Sequence, residues 1–136
     1  MKRHPALQQL SRDHHQALVV AQLLKRADEA TAEDAHARFL VFWNTEGREH
    51  FREEEEILLP ALARFADPDQ PIVVRVLIGH VRIRALAEQP DDVAKLRELG
   101  SQLEQHVRCE ERELFALIER EIPDQQLTKL AARLSH

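Results

Sequence analysis

Apolar residues return every three or four positions through almost the whole chain, the spacing of one buried helical face. Leu7, Leu10, Ala17, Leu18, Ala21 and Leu24 set such a face over residues 5–30, the first predicted helix. Thr31 followed by Asp34 has the spacing of a cap and its partner, and opens a second helix to about residue 65. That helix buries Phe39, Leu40, Trp43, Ile57, Leu58 and Ala61, and Pro60 inside it predicts a kink, because proline removes a backbone donor and crowds the turn before it. The stretch 67–71 reads as a linker, with Asp69 as a cap and Pro71 in the first turn of a third helix over about 72–88. Gln89, Pro90 and Asp91 break the pattern again before a fourth helix over about 92–122. A short amphipathic tail over about 124–135 carries Leu127, Leu130 and Leu134. Four long helices with short connections predict an all-α fold, an up-down-up-down four-helix bundle with a short C-terminal helix, as a single domain over 1–136.

Several polar residues fall on the apolar stripes. At about 100° per residue, His14 lies between Leu10 and Leu18, and His15 points about 100° away toward water. His50 and Glu54 follow the line of Trp43, Ile57 and Ala61, whereas Glu53, Glu55 and Glu56 do not. His80 lies among Val76, Leu77 and Ala87, and His106 and Glu110 share a face with Leu99, Leu103, Leu114 and Leu117. A buried carboxylate without compensation loses several kcal/mol of hydration, so these positions need a partner.

A phrase repeats. His50-Phe51-Arg52-Glu53-Glu54-Glu55-Glu56-Ile57-Leu58 is echoed by His106-Val107-Arg108-Cys109-Glu110-Glu111-Arg112-Glu113-Leu114. In each copy a His and a Glu stand four residues apart, one turn apart on the same face. Antiparallel rods rising about 1.5 Å per residue bring His14, His50, Glu54 and His80 to similar heights; the third connection matches less well, by about a turn, which its polar loop would absorb to let His106 and Glu110 join them. Inward imidazoles and carboxylates from facing helices can hold a carboxylate-bridged pair of metal ions. His36 falls about 21 Å from His50 along the axis and closes the far end of the bundle. Gly47 either eases packing or leaves room for a small ligand, and Cys109 faces away from the stripe.

Composition narrows the function. At 136 residues the chain can bury a real core, and three glycines leave few turn positions for a sheet protein. A net charge of −5 without a basic stripe argues against a nucleic-acid surface. The single cysteine excludes an internal disulfide framework and fits a reducing compartment. No run is long and apolar enough for a bilayer span, and the first residues lack the apolar core of a signal peptide, so the expected location is cytoplasmic, with no membrane partner.

The pattern Asp13-His14, His50-x-x-x-Glu54, Gly79-His80 and His106-x-x-x-Glu110 resembles the hemerythrin-like (HHE cation-binding) family over the chain up to about residue 122. The resemblance implies a non-haem centre of two iron ions joined by an oxo or hydroxo bridge. His14, His50, His80 and His106 would be terminal ligands, and Glu54 and Glu110 would bridge. Manganese or zinc also suits such a donor set. Oxygen-carrying members have a second His four residues after the one on the third helix, where this chain has Arg84. They also have an Asp five residues after the last His, where this chain offers Glu110 four residues on. Both departures point to the bacterial, regulatory branch. Arg84 would pair with a bridging carboxylate, steer an anionic ligand, or extend along the surface into water.

The implied function is a di-iron protein that binds or senses oxygen or nitric oxide, with a protein or redox partner that the sequence does not identify. Alternatives are a di-iron oxidase or peroxidase, and an iron storage or donation protein. The absence of any tyrosine and of a further proton-transfer residue on the stripes argues against the enzyme.

Overall fold

A computed structural model describes residues 3–88 and 92–134, which hold helices and no strand. The first rod is a 3₁₀ turn, Pro5–Leu7, running into α1 (Gln8–Lys25). The second contains α2 (Ala32–Phe42), α3 (Arg48–Glu53) and α4 (Leu59–Leu62), joined by π turns at Trp43–Gly47 and Glu54–Leu58. The third is α5 (Pro71–Glu88). The fourth is α6 (Val93–Cys109) and α7 (Phe115–Glu121), joined by a π turn at Glu110–Leu114. These rods pack as the predicted four-helix bundle, and α8 (Asp124–Leu130) folds back on the Pro5–Leu7 turn. No helix among the described residues is long and apolar enough to cross a membrane.

The helix ends follow local chemistry, not always as the sequence predicts. The first rod stops at Lys25, short of residue 30, because the Asp28 carboxylate accepts from the amides of Ala30 and Thr31 and holds a turn. Thr31 does not cap α2: its hydroxyl is bonded to Asp28 instead. Gln70, not Asp69, takes the position before α5, its carbonyl accepting from Val73 and Val74. Asp92 caps α6, accepting from the amide of Lys95. The predicted break at 89–91 lies outside the described residues. Pro60 sits in the first turn of α4, directly after the π turn Glu54–Leu58, and the matching π turn Glu110–Leu114 contains no proline, so these turns belong to the repeated phrase and not to Pro60.

Two apolar clusters fill the bundle with a polar layer between them. One contains Leu7, Leu10, Leu58, Val76, Leu114 and Phe115, closed by Leu127, Leu130 and Leu134 of the C-terminal segment. The other contains Ala17, Leu24, Phe39, Trp43, Phe51, Ile83 and Leu103. Gly100 lets α1 and α6 touch: a Cβ there would stand 2.8 Å from the Ala21 carbonyl oxygen and the Lys25 amide nitrogen.

Candidate metal centre

The polar layer lies where each rod passes from one apolar cluster to the other. His14 sits between Leu10 and Ala17, His80 between Val76 and Ile83, and the two copies of the repeated phrase supply the rest. Asp13, His14, His50, Glu53, Glu54, His80, His106 and Glu110 are all buried. Leu77, expected beside His80, is instead exposed. Both π turns that follow the paired histidines begin at the inward glutamate, Glu54 in one copy and Glu110 in the other. Such turns recur at functional sites because they re-aim side chains that a regular helix would space evenly.

All six sequence-selected side chains meet at one depth and fall into two groups of four that could hold a cation. His14, His50, Glu54 and Glu110 form one, and Glu54, His80, His106 and Glu110 the other. Within each, the donor atoms lie within 4.8 Å of one another. In the first, Nε2 of His14 is 2.7 Å from Oε1 of Glu110, and Nε2 of His50 is 3.0 Å from Oε2 of Glu54. In the second, Nε2 of His80 is 2.9 Å from Oε1 of Glu54, and Nε2 of His106 is 2.7 Å from Oε2 of Glu110. Each glutamate therefore turns one oxygen toward each group.

The donors fit a cation. Atoms held about 2.1 Å from one ion at right angles stand roughly 3 Å apart, close to the spacings here. Nε2 of His106 and Oε2 of Glu110 are buried and within ion-pair distance, yet neither has a hydrogen-bond partner. They are set to face a common point, not each other.

A second ring of carboxylates holds the far side of three imidazoles. Nδ1 of His14 is 2.5 Å from Glu111, that of His50 is 3.0 Å from Asp13, and that of His80 is 2.6 Å from Glu55. Nδ1 of His106 lies against α5, where a Cβ on Gly79 would come within 2.5 Å of it. Phe51 stacks on His80 at 3.9 Å between centroids, and Phe115 on His14 at 5.2 Å.

Without a cation, protons hold the cluster together. Burial favours the neutral imidazole, but neighbouring carboxylates overcome it. Glu110 and Glu111 raise His14, and Glu54, Asp13 and Glu110 raise His50 well above the usual range. Against its own burial, His80 is pushed up to about 9 by Glu110 and Glu54. Burial would raise Glu110, yet His106, His14 and His50 hold it well below the usual carboxylate range.

Helical spacing alone does not reveal the outer ring. Glu53, placed off the stripe, is buried, because a rod with two neighbours buries a wider arc than the stripe itself, with Phe51 on one margin and Glu53 on the other. Glu55, also placed off it, reaches His80. Arg84 pairs with this Glu55 at 2.5 Å, not with either inward carboxylate. The signal was present in the repeat, whose second glutamate recurs as Glu55 and Glu111. His15 and Glu56 are exposed as expected, and His36 lines a surface cleft near Asp92 at the far end. Gly47 packs under Trp43, where a Cβ would come within 2.6 Å of the indole, and it also borders a cavity beside His50. Cys109 is partly buried near Arg75 and Glu113, and burial pushes its thiol up.

A family model for the hemerythrin HHE cation-binding domain matches residues 5–118. The chain belongs to that family. The match takes in the first three rods, the fourth as far as Ile118 and every residue of the polar layer, so the hemerythrin domain and the two His/Glu groups occupy the same part of the molecule. No curated protein and no solved structure gives a significant match to the chain.

Proposed function

We propose that this hemerythrin domain holds two iron ions and uses them to bind or sense a diatomic gas, oxygen or nitric oxide. The observation that carries the reading is the double orientation of Glu54 and Glu110, each with one oxygen toward either pair of histidines. On this reading His14 and His50 hold one ion, His80 and His106 the other, and the two glutamates are shared. Imidazole and carboxylate donors suit iron and also accept manganese or zinc, and iron is what the hemerythrin resemblance implies. A bound iron pair would supply electrons and a position for a small ligand.

The chain's own residues prepare that position. Asp13, Glu55 and Glu111 hold the Nδ1 protons of three imidazoles, which turns each Nε2 lone pair inward and raises its basicity. Phe51 and Phe115 cover ring faces and keep water off them. A largely apolar cavity of about 10 Å³ lies against His14, His50 and His106, walled by Trp43, Gly47 and Leu103. That is room for about one water-sized molecule, which favours a diatomic over a larger substrate.

The test is optical. Iron-loaded protein is reduced without oxygen, and oxygen is then admitted. A visible band that forms and reverses under vacuum supports binding. Rapid decay of the band with consumption of peroxide or an added reductant would replace this reading by an oxidase or peroxidase, and loss of iron to a chelator within minutes would replace it by iron donation.

A further inference from the structure

Between the second and third rods, outside the metal layer, lies an open cleft of about 370 Å³, within the usual size of small-molecule sites. Leu40, Trp43 and Ala87 give it apolar walls, and three arginines face one carboxylate, Glu88, around it. The arginines are not equally engaged. Arg52 is held by Glu49, with Glu56 at 3.5 Å. Arg84 gives one terminal nitrogen to Glu55 and lies 5.5 Å over the Phe51 ring, and its other donors make no hydrogen bond among the described residues. Arg48 lies 5.9 Å over the ring of Trp43 and, among the described residues, forms no hydrogen bond or ion pair.

A guanidinium without a carboxylate, laid on an indole beside a second guanidinium with spare donors, matches a carboxylate joined to an apolar body. The fork geometry takes the charge, and the aromatic and aliphatic wall takes the rest. We propose that this cleft binds a small organic carboxylate bearing an aromatic or branched apolar group, with Arg48 and Arg84 on the carboxylate and Trp43, Leu40 and Ala87 against its body. The site has a line to the polar layer. Arg84 bonds Glu55 at 2.5 Å, Glu55 meets Nδ1 of His80 at 2.6 Å, and Nε2 of His80 faces Glu54 at 2.9 Å. A ligand that draws Arg84 away from Glu55 changes what holds His80. The inference stands on the cleft and needs no metal in the bundle.

Trp43 is the single tryptophan of the chain, so its emission reports the cleft directly. The full chain, metal-free and metal-loaded, is titrated with benzoate and separately with inorganic phosphate at constant ionic strength. Benzoate is expected to change Trp43 emission saturably, and Arg48→Ala to weaken that binding about tenfold, the size expected for one charge-assisted contact. Phosphate is expected to bind at least about tenfold more weakly than benzoate, lacking an apolar body. Benzoate is also expected to shift the ring-nitrogen resonances of His80 in wild type. Arg48 is exposed, and Arg48→Gln offers a second variant with the same reading. A response linear in benzoate, or unchanged in both variants, overturns the site. Phosphate binding as tightly as benzoate overturns the ligand class, and a Trp43 response without movement of His80 overturns the link.

Discussion

Glu111 lies 2.5 Å from Nδ1 of His14, on the opposite side of the ring from Glu110, its neighbour in sequence, which faces Nε2 at 2.7 Å. One glutamate doublet on the fourth rod thus grips both nitrogens of an imidazole from the first. The doublet Glu54-Glu55 does the same to His80 from the third rod, at 2.9 and 2.6 Å. The repeated phrase therefore encodes two layers at once, an inner carboxylate that faces the centre and an outer one that orients a neighbour's ring.

If the outer layer orients ligands, Glu111→Ala should keep the capacity for two metal ions and lose affinity. Outer carboxylates behind metal-bound histidines are worth about 10- to 100-fold in affinity. Competition with a chromogenic chelator measures this. Affinity equal to wild type would show that Glu111 is only a surface partner of Ser11 and Arg3.

The pH dependence of the metal-free protein follows from the raised imidazoles. His80 is raised from 6.5 to about 9, so its protonated form contributes stability that is complete below about pH 6.5 and is lost as pH rises through 9. Glu110 is lowered from 4.5, so its contribution is present above that value and is lost as pH falls through the depressed one. Thermal melts in the presence of chelator should show a lower Tm at pH 10 than at pH 7, and metal-loaded protein a smaller drop, because cations have replaced the protons. A metal-free Tm that holds or climbs between pH 7 and 10 would contradict this account of the cluster.

Gly79→Ala should disturb one half of the centre more than the other. The added methyl would stand 2.5 Å from Nδ1 of His106, so the ring or α5 must shift. The expected result is one tightly bound ion per chain in place of two, by metal analysis after dialysis. Two ions held with wild-type affinity would mean that the ring has room to move.

Gly100→Ala tests the bundle without touching the centre. Its Cβ would meet backbone atoms of Ala21 and Lys25, which cannot rotate away. Overpacking of this kind costs about 1–3 kcal/mol. Denaturant melts should report that loss while metal stoichiometry stays unchanged.

Much of this was legible in the chain. The rods and the inward direction of the six side chains follow from helical spacing, since His14, His50, His80 and His106 replace apolar residues in otherwise regular stripes; their common depth follows only in part, because the third connection misses by about a turn when residues are counted along the rods. The outer ring was not, because Asp13, Glu55 and Glu111 lie off those stripes and reach histidines on other rods, a relationship set by packing. The π turns were hidden for another reason. Glu54–Leu58 and Glu110–Leu114 are built from good helix formers, and nothing in their local propensity separates a π turn from an α turn. The end of α1 depended on whether Asp28 would bond forward to Ala30 and Thr31, a choice between two local hydrogen-bond patterns that composition does not decide.

The most direct test of the metal reading is anomalous diffraction at the iron edge from crystals of the iron-loaded chain. Two peaks are expected about 3.5–4 Å apart, one between His14 and His50 and one between His80 and His106, with Glu54 and Glu110 spanning them. A single peak, or iron bound anywhere else on the molecule, would contradict it.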